Sequence, residues 1–117
     1  MKLRDLFALA VEKGIEADPR GREKVLEELD KRREKYDKLE QDEKEEYDLE
    51  RLENPYDDTR ILWGDPDTEV NSILVGIDID TAELLLADRL REKGKPIDLV
   101  VAHHPEGKAL ARLPGVM

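Results

Sequence analysis

The fold is decided by residues 72–105, which read SILVGIDIDTAELLLADRLREKGKPIDLVVAHHP. The segment opens with an almost wholly apolar run, 72–79, and closes with a second one, 97–102. Such runs are typical of strands that are buried on both faces, as in a parallel sheet. Closely spaced leucines lie between the runs, followed by Gly94 and Pro96, which end a helix. The segment therefore predicts a strand, a helix and a second parallel strand, which together form a βαβ unit.

The helix of this unit is predicted to begin at Asp80 or Thr81. Glu83 follows at the spacing of a capping box, in which the cap side chain and a later carboxylate each accept a backbone N–H. The spacing does not choose between the two caps. We expect Asp80 to be a helix cap rather than a metal ligand.

A further short strand is predicted at residues 60–63, because the turn signal Gly-Asp-Pro-Asp follows at 64–67. Three strands would leave a long apolar edge without a partner, which native monomers normally cover. We therefore expect residues 54–117 to form an α/β half-domain that carries a metal site and is truncated at its C-terminus. The fold class is α/β, with a partial mixed or parallel sheet behind an N-terminal helical region.

The helical region is predicted at residues 1–53, of which 31 are charged. An amphipathic stripe predicts an opening helix at 2–14. Asp18 and Pro19 match an N-cap and a first helical residue, and they predict a long charged helix or hairpin at 19–49. Two roles remain open for this segment, namely an oligomerisation or partner-binding arm and a charged surface helix.

Composition excludes several classes of protein. The chain has 30 acidic and 20 basic residues and a formal charge of −10, so binding to a nucleic-acid backbone is not expected. No apolar run is long enough to cross a membrane. There is no cysteine, so disulfides and thiolate ligands are excluded. We expect a cytoplasmic protein that binds neither nucleic acid nor membrane.

The residues most indicative of function are the only two histidines, His103 and His104, which follow the second apolar run. Parallel strands end at one edge of a sheet, where ligands of α/β proteins gather, and Asp78 ends the first strand there. Imidazole is a common metal ligand. Adjacent side chains of a strand point in opposite directions, so each imidazole would serve its own ion. Asp78 could orient one imidazole or simply end a strand, and the histidines could instead be structural.

Three stretches together resemble the Nif-three-like dinuclear metal-centre family. They are DPDTEV at 65–70, ILVGID at 73–78 and DLVVAHHP at 98–105. The resemblance implies an α/β fold and a ring-shaped homo-oligomer, often a hexamer. It also implies two divalent ions, either zinc, iron, manganese or nickel, with one contact from each of His103 and His104.

The family's reaction is hydrolase-like without a settled substrate, and its remaining ligands follow later in the chain than residue 117. This sequence departs from the family pattern at Glu106-Gly107 and in the charged segment 19–53.

Two functions therefore follow from the sequence. The first is the N-terminal part of a dinuclear metal-binding, hydrolase-like protein. The alternative is a non-enzymatic oligomeric scaffold, whose charged helix drives assembly and whose histidines are structural.

Overall fold

The computed structural model describes residues 1–111 of the 117-residue chain and shows a mixed helix and sheet protein. Within this range the chain forms five α-helices, one 3-10 helix and two strands. In chain order they are α1 (Leu3–Ala17), α2 (Arg22–Asp37), α3 (Gln41–Glu46), the 3-10 helix (Leu49–Leu52), β1 (Ile73–Gly76), α4 (Thr81–Glu92), β2 (Leu99–Ala102) and α5 (Gly107–Ala111).

The opening helix is confirmed and continues beyond its predicted end at Gly14 to Ala17. Gly14 lies against the ring of Tyr56, since a Cβ at this position would be 3.1 Å from the Cε2 atom of that ring. Leu3 and Ile15 are the buried residues of the helix. A glycine inside α1 therefore marks a close approach of the loop at Tyr56 rather than the end of the helix.

A single long charged helix over 19–49 is not confirmed. Helix α2 begins after Gly21 and ends at Asp37, and α3 begins only at Gln41, so the predicted cap at Asp18 is wrong. Val25 is the one buried residue of α2. Helices in proteins are stabilised mainly by tertiary packing, so little stabilises a continuous helix through residues 38–40. The rings of Tyr36 and Tyr47 lie 5.1 Å apart across the break and join α2 to the end of α3.

The sheet consists of β1 and β2 in parallel, with Val75 paired to Val101 and Gly76 to Ala102. Both strands lie inside the predicted apolar runs but are only four residues long. The predicted strand at 60–63 is wrong, because the sheet of the described chain contains only β1 and β2. Its first residue, Arg60, is instead buried among carboxylates.

Helix α4 joins β1 to β2 and begins as the capping pattern predicts. Asp80 is the N-cap and accepts from the amide of Thr81, while Glu83 accepts from the amide of Asp80. Ala87 is the only buried residue of the helix, and its leucines at 84–86 are exposed. The element order is that of a βαβ unit, whereas close packing of α4 on the sheet stays a prediction.

Buried ion pairs connect the helical region to the rest of the chain. The side chain of Arg60 is 1% exposed, and its Nη1 atom lies 2.8 Å from Asp48 and 2.7 Å from Glu50. Arg32 of α2 donates to the backbone carbonyls of Asn54 and Pro55. These contacts join residues on both sides of the predicted boundary between the helical region 1–53 and the half-domain 54–117. The boundary itself stays a prediction.

None of the helices within residues 1–111 combines the length and the apolar character that crossing a membrane requires.

Candidate metal centre

The predicted site lies at the carboxyl end of the two parallel strands. Backbone pairing continues past both strands, since the amide of His103 donates to the carbonyl of Gly76 at 2.9 Å and that of His104 to Ile77 at 2.8 Å. Both histidines are therefore held at one edge of the sheet by backbone hydrogen bonds, and Asp78 directly follows Ile77, so the sheet brings all three predicted residues to one place.

Asp78 and His104 are in direct contact. The Oδ1 atom of Asp78 lies 2.7 Å from Nδ1 of His104, and the two side chains are 71% and 56% exposed. A carboxylate only accepts hydrogen bonds, so Nδ1 carries the proton and donates it. In the neutral ring the proton is then on Nδ1 and the lone pair is on Nε2. This tautomer can bind a metal ion through Nε2.

The imidazoles of His103 and His104 are close neighbours. Their ring centroids are 5.4 Å apart and their planes are inclined by 36°. The sequence predicted rings that point in opposite directions from a straight strand. The chain bends at both histidines instead, so the alternation of side chains along β2 does not continue to them.

A cavity of about 460 Å³ lies beside His104. It is lined by Asp78, His104, Pro105, Glu106 and Leu110. Glu106 is half-buried, and its carbonyl accepts the amides of Ala109 and Leu110, which form the first turn of α5. The sequence identified Glu106 only as a departure from the family pattern and did not identify Leu110. The four-residue spacing of these two residues on a short helix is the signal that could have placed them together.

His103, His104 and Asp78 supply part of the donor set that a metal centre requires. A ligating histidine normally donates its other ring N–H to a carboxylate or carbonyl, and the pair formed by Asp78 and His104 has this arrangement. Among residues 1–111, no three histidine or acidic side chains gather in an arrangement that would hold an ion. Structural and catalytic sites for zinc use three or four protein ligands, so His103 and His104 would need further donors.

The cavity is joined to the helical region by an ion pair. The Nζ atom of Lys108, in α5, lies 3.3 Å from Oδ1 of Asp48. Burial raises the pKa of Asp48, but the charge of Arg60 and the hydrogen bonds from Lys108 and Arg60 outweigh this effect, so the pKa is below its ordinary value. Asp48 is therefore ionised at neutral pH and holds α5, a wall of the cavity, against the end of α3. The sequence did not predict this contact.

A second cavity, of about 340 Å³, lies between α1 and the loop at Tyr56. It is lined by Ala10, Val11, Gly14, Ala17, Asp18, Pro19, Tyr56 and Thr59. Asp18 accepts two hydrogen bonds from the Arg20 guanidinium and one from the Tyr56 hydroxyl, and these bonds hold the pKa of Asp18 far below its ordinary value. Because the carboxylate oxygens of Asp18 already accept these bonds, we assign this cavity and its lining residues a structural role.

Comparison with known proteins adds no relative to this description. No family model, no curated protein and no solved structure matches the chain.

Proposed function

We propose that His103 and His104 are ligands of a pair of divalent metal ions, and that the protein is a metal-dependent, hydrolase-like enzyme. The observation that carries the proposal is the hydrogen bond from Nδ1 of His104 to Asp78 at the carboxyl end of the sheet. This bond fixes the ring and its tautomer before an ion arrives, and an oriented ring binds more tightly than a free one.

Each residue has a distinct role in this proposal. His104 would bind one ion through Nε2, His103 would bind the second, and Asp78 would orient His104 without being a ligand. Divalent ions in such centres lower the pKa of water and stabilise the charge that develops in hydrolysis. Imidazole ligands suit zinc, iron and nickel, and manganese becomes suitable where carboxylates complete the set.

The resemblance of the three quoted stretches to the Nif-three-like family supports two ions, with one imidazole each. Under the proposal His103 and His104 need further donors, because two imidazoles do not complete two sites. We also take residues 72–105 to be a packed βαβ unit, supported by the element order and the parallel pairing. A homo-oligomer and a cytoplasmic location complete the proposal.

The experiment is a calorimetric titration of the metal-free 117-residue chain with Zn²⁺, and separately with Mn²⁺. We compare the wild type with the double variant His103→Ala/His104→Ala, which removes every imidazole of the chain. We expect binding by the wild type and loss of most of the heat in the double variant, with an unchanged far-UV circular dichroism spectrum.

Equal binding by the wild type and the double variant would contradict the proposal. It would favour the scaffold function, in which the histidines are structural and assembly depends on the helical region.

A further inference from the structure

The short helix α5 is a wall of the cavity beside His104. Its first turn forms on the carbonyl of Glu106, which accepts the amides of Ala109 and Leu110, and Leu110 lines the cavity. The helix has five residues, whereas an isolated helix needs about 12–15 residues to be even marginally stable in water. Contacts with other parts of the chain must therefore hold α5 in place.

The backbone before α5 does not supply these contacts. The amide of His104 donates to the carbonyl of Ile77, but within the described range no amide of residues 105–108 donates to a backbone carbonyl. Gly107 has a φ of +51°, in the left-handed region that glycine adopts without a steric penalty. Residues 105–107 therefore have the properties of a hinge between the sheet and α5.

A side-chain ion pair joins α5 to the helical region. The Nζ atom of Lys108 lies 3.3 Å from Oδ1 of Asp48. Asp48 is 10% exposed, and its Oδ2 atom lies 2.8 Å from the buried guanidinium of Arg60, so this end of the pair is fixed. Lys108 is 53% exposed and is the end that can move away.

Burial adds little to this attachment. Ala109 is the buried residue of α5, and a single methyl group is the smallest apolar side chain that a protein can bury. Leu110, the larger apolar residue of the helix, is 50% exposed. Segments with few buried apolar contacts open locally at a low cost in free energy, while the rest of the fold stays closed.

We propose that α5 is a movable wall of the cavity, that it turns on residues 105–107, and that the pair formed by Lys108 and Asp48 is the latch that keeps it closed. Opening carries Leu110 away and widens access to Asp78 and His104. Because Asp48 follows α3, the helical region controls this access. Only the entry of a metal ion through the opening rests on the proposed function, since the hinge and the latch require no ion.

The experiment measures amide hydrogen exchange by NMR in the metal-free 117-residue chain. The amide of Leu110 reports on α5, and that of Ile15, a buried residue of α1, reports on the rest of the fold. The variants are Lys108→Met and Lys108→Arg, and Lys24→Met is the matched control at an exposed lysine of α2. Lysine, methionine and arginine have similar helix propensities, so differences at Leu110 report on the charge.

We expect exchange at Leu110 to be about 1.5- to 5-fold faster in Lys108→Met than in the wild type at low salt. Salt at about 1 M, where the screening length is about 3 Å, should accelerate exchange in the wild type and leave Lys108→Met unchanged. Lys108→Arg and Lys24→Met should match the wild type at both salt concentrations. Exchange at Ile15 should be the same in all four proteins.

Several results would overturn the latch. These are equal exchange at Leu110 in the wild type and Lys108→Met, exchange in the wild type that does not depend on salt, and a Lys108→Arg variant that behaves as Lys108→Met. A Leu110 amide without protection in the wild type would also overturn it, because α5 would then have no closed state. Faster exchange at Ile15 in Lys108→Met would show that Lys108 stabilises the whole fold instead.

The latch and the proposed function fail separately. A salt-dependent latch in the metal-free chain stands even if the calorimetric titration shows no metal binding. Zn²⁺ binding by a chain whose Leu110 exchange ignores Lys108 leaves the proposed function standing without the latch. Where both stand, a chelator should remove Zn²⁺ from Lys108→Met about 1.5- to 5-fold faster than from the wild type, and an equal rate would contradict the control of access.

Discussion

Asp78 and His104 are 26 residues apart in the sequence, and the Oδ1 atom of one lies 2.7 Å from the Nδ1 atom of the other. Parallel pairing of β1 with β2 produces this contact, because it aligns the ends of the two strands. The side chains are half or more exposed, so the bond itself adds little to the stability of the fold. Its consequence is local, since it fixes the orientation of one imidazole at the mouth of a cavity.

The orientation of His104 can be tested with Asp78→Asn. An amide cannot replace the carboxylate as a charged acceptor, so the ring loses its fixed tautomer. We expect the affinity for Zn²⁺ to fall by about 10- to 100-fold in a calorimetric titration. Asp88→Asn removes an exposed carboxylate of α4 and is the matched control for the loss of one charge. The orienting role would be refuted if both variants lost affinity equally.

Glu106 places a second carboxylate on the wall of the same cavity. Its negative charge attracts a divalent ion at His104, and interactions between partly exposed charges contribute about 0.2–1 kcal/mol. We expect Glu106→Gln to weaken Zn²⁺ binding by up to about fivefold at low salt. The difference should shrink in 1 M NaCl, where the screening length is about 3 Å. A loss that is independent of salt would indicate direct ligation instead.

Arg60 is predicted to be the most sensitive charged residue of the fold. Its side chain is 1% exposed and contacts Asp48 and Glu50, so Arg60→Met removes the ion pair of Glu50 and one counter-charge of Asp48, which keeps Lys108. Removing one partner of a buried ion pair costs about 3–5 kcal/mol of unfolding free energy. Urea denaturation measures this loss.

The control for Arg60→Met is Arg89→Met, because Arg89 is 65% exposed and lies 4.0 Å from Glu92. A change within about 0.5 kcal/mol is expected there. Equal losses in the two variants would contradict the structural role assigned to Arg60.

Acid sensitivity should arise in part at Asp18. The hydrogen bonds from Arg20 lower the pKa of this carboxylate the most, and the Tyr56 hydroxyl lowers it further. A lowered folded-state pKa means that the contribution to stability is complete above the unfolded-state value of about 4. The contribution is lost as the pH falls from there through the folded-state value.

Tyr56→Phe removes the hydroxyl donor and keeps the ring against Gly14. We expect the pKa of Asp18 to rise toward its ordinary value, which a carbon-13 NMR titration of the carboxyl group measures. Tyr47→Phe removes a hydroxyl at the end of α3 and should leave the Asp18 titration unchanged. A pKa of Asp18 that does not move in Tyr56→Phe would show that Arg20 alone sets it.

Much of the region around the site could be predicted from local pattern. Apolar runs located both strands, and the spacing from Asp80 to Glu83 located the start of α4, because strand burial and helix capping depend on neighbours along the chain. The position of His103 and His104 after the second strand followed from the same pattern. Its interpretation as a metal centre stays a prediction.

Two other features depended on contacts between distant residues. The charged segment 19–49 was predicted as one helix or a hairpin because its composition favours helix throughout, yet Tyr36 and Tyr47 meet across a break. Residues 60–63 match a strand in pattern, but Arg60 is drawn into a cluster of carboxylates that the local sequence does not reveal.

By itself, the sequence determined where strands and helices can form, since each element is selected by burial and capping within a few residues. Tertiary structure decided which side chains meet. Parallel pairing of β1 with β2 placed Asp78 against His104, and ion pairing joined Asp48 to both Arg60 and Lys108. The physical reason is that a hydrogen bond or an ion pair depends on distance in space, and distance in space between residues far apart in the chain exists only once the chain has folded.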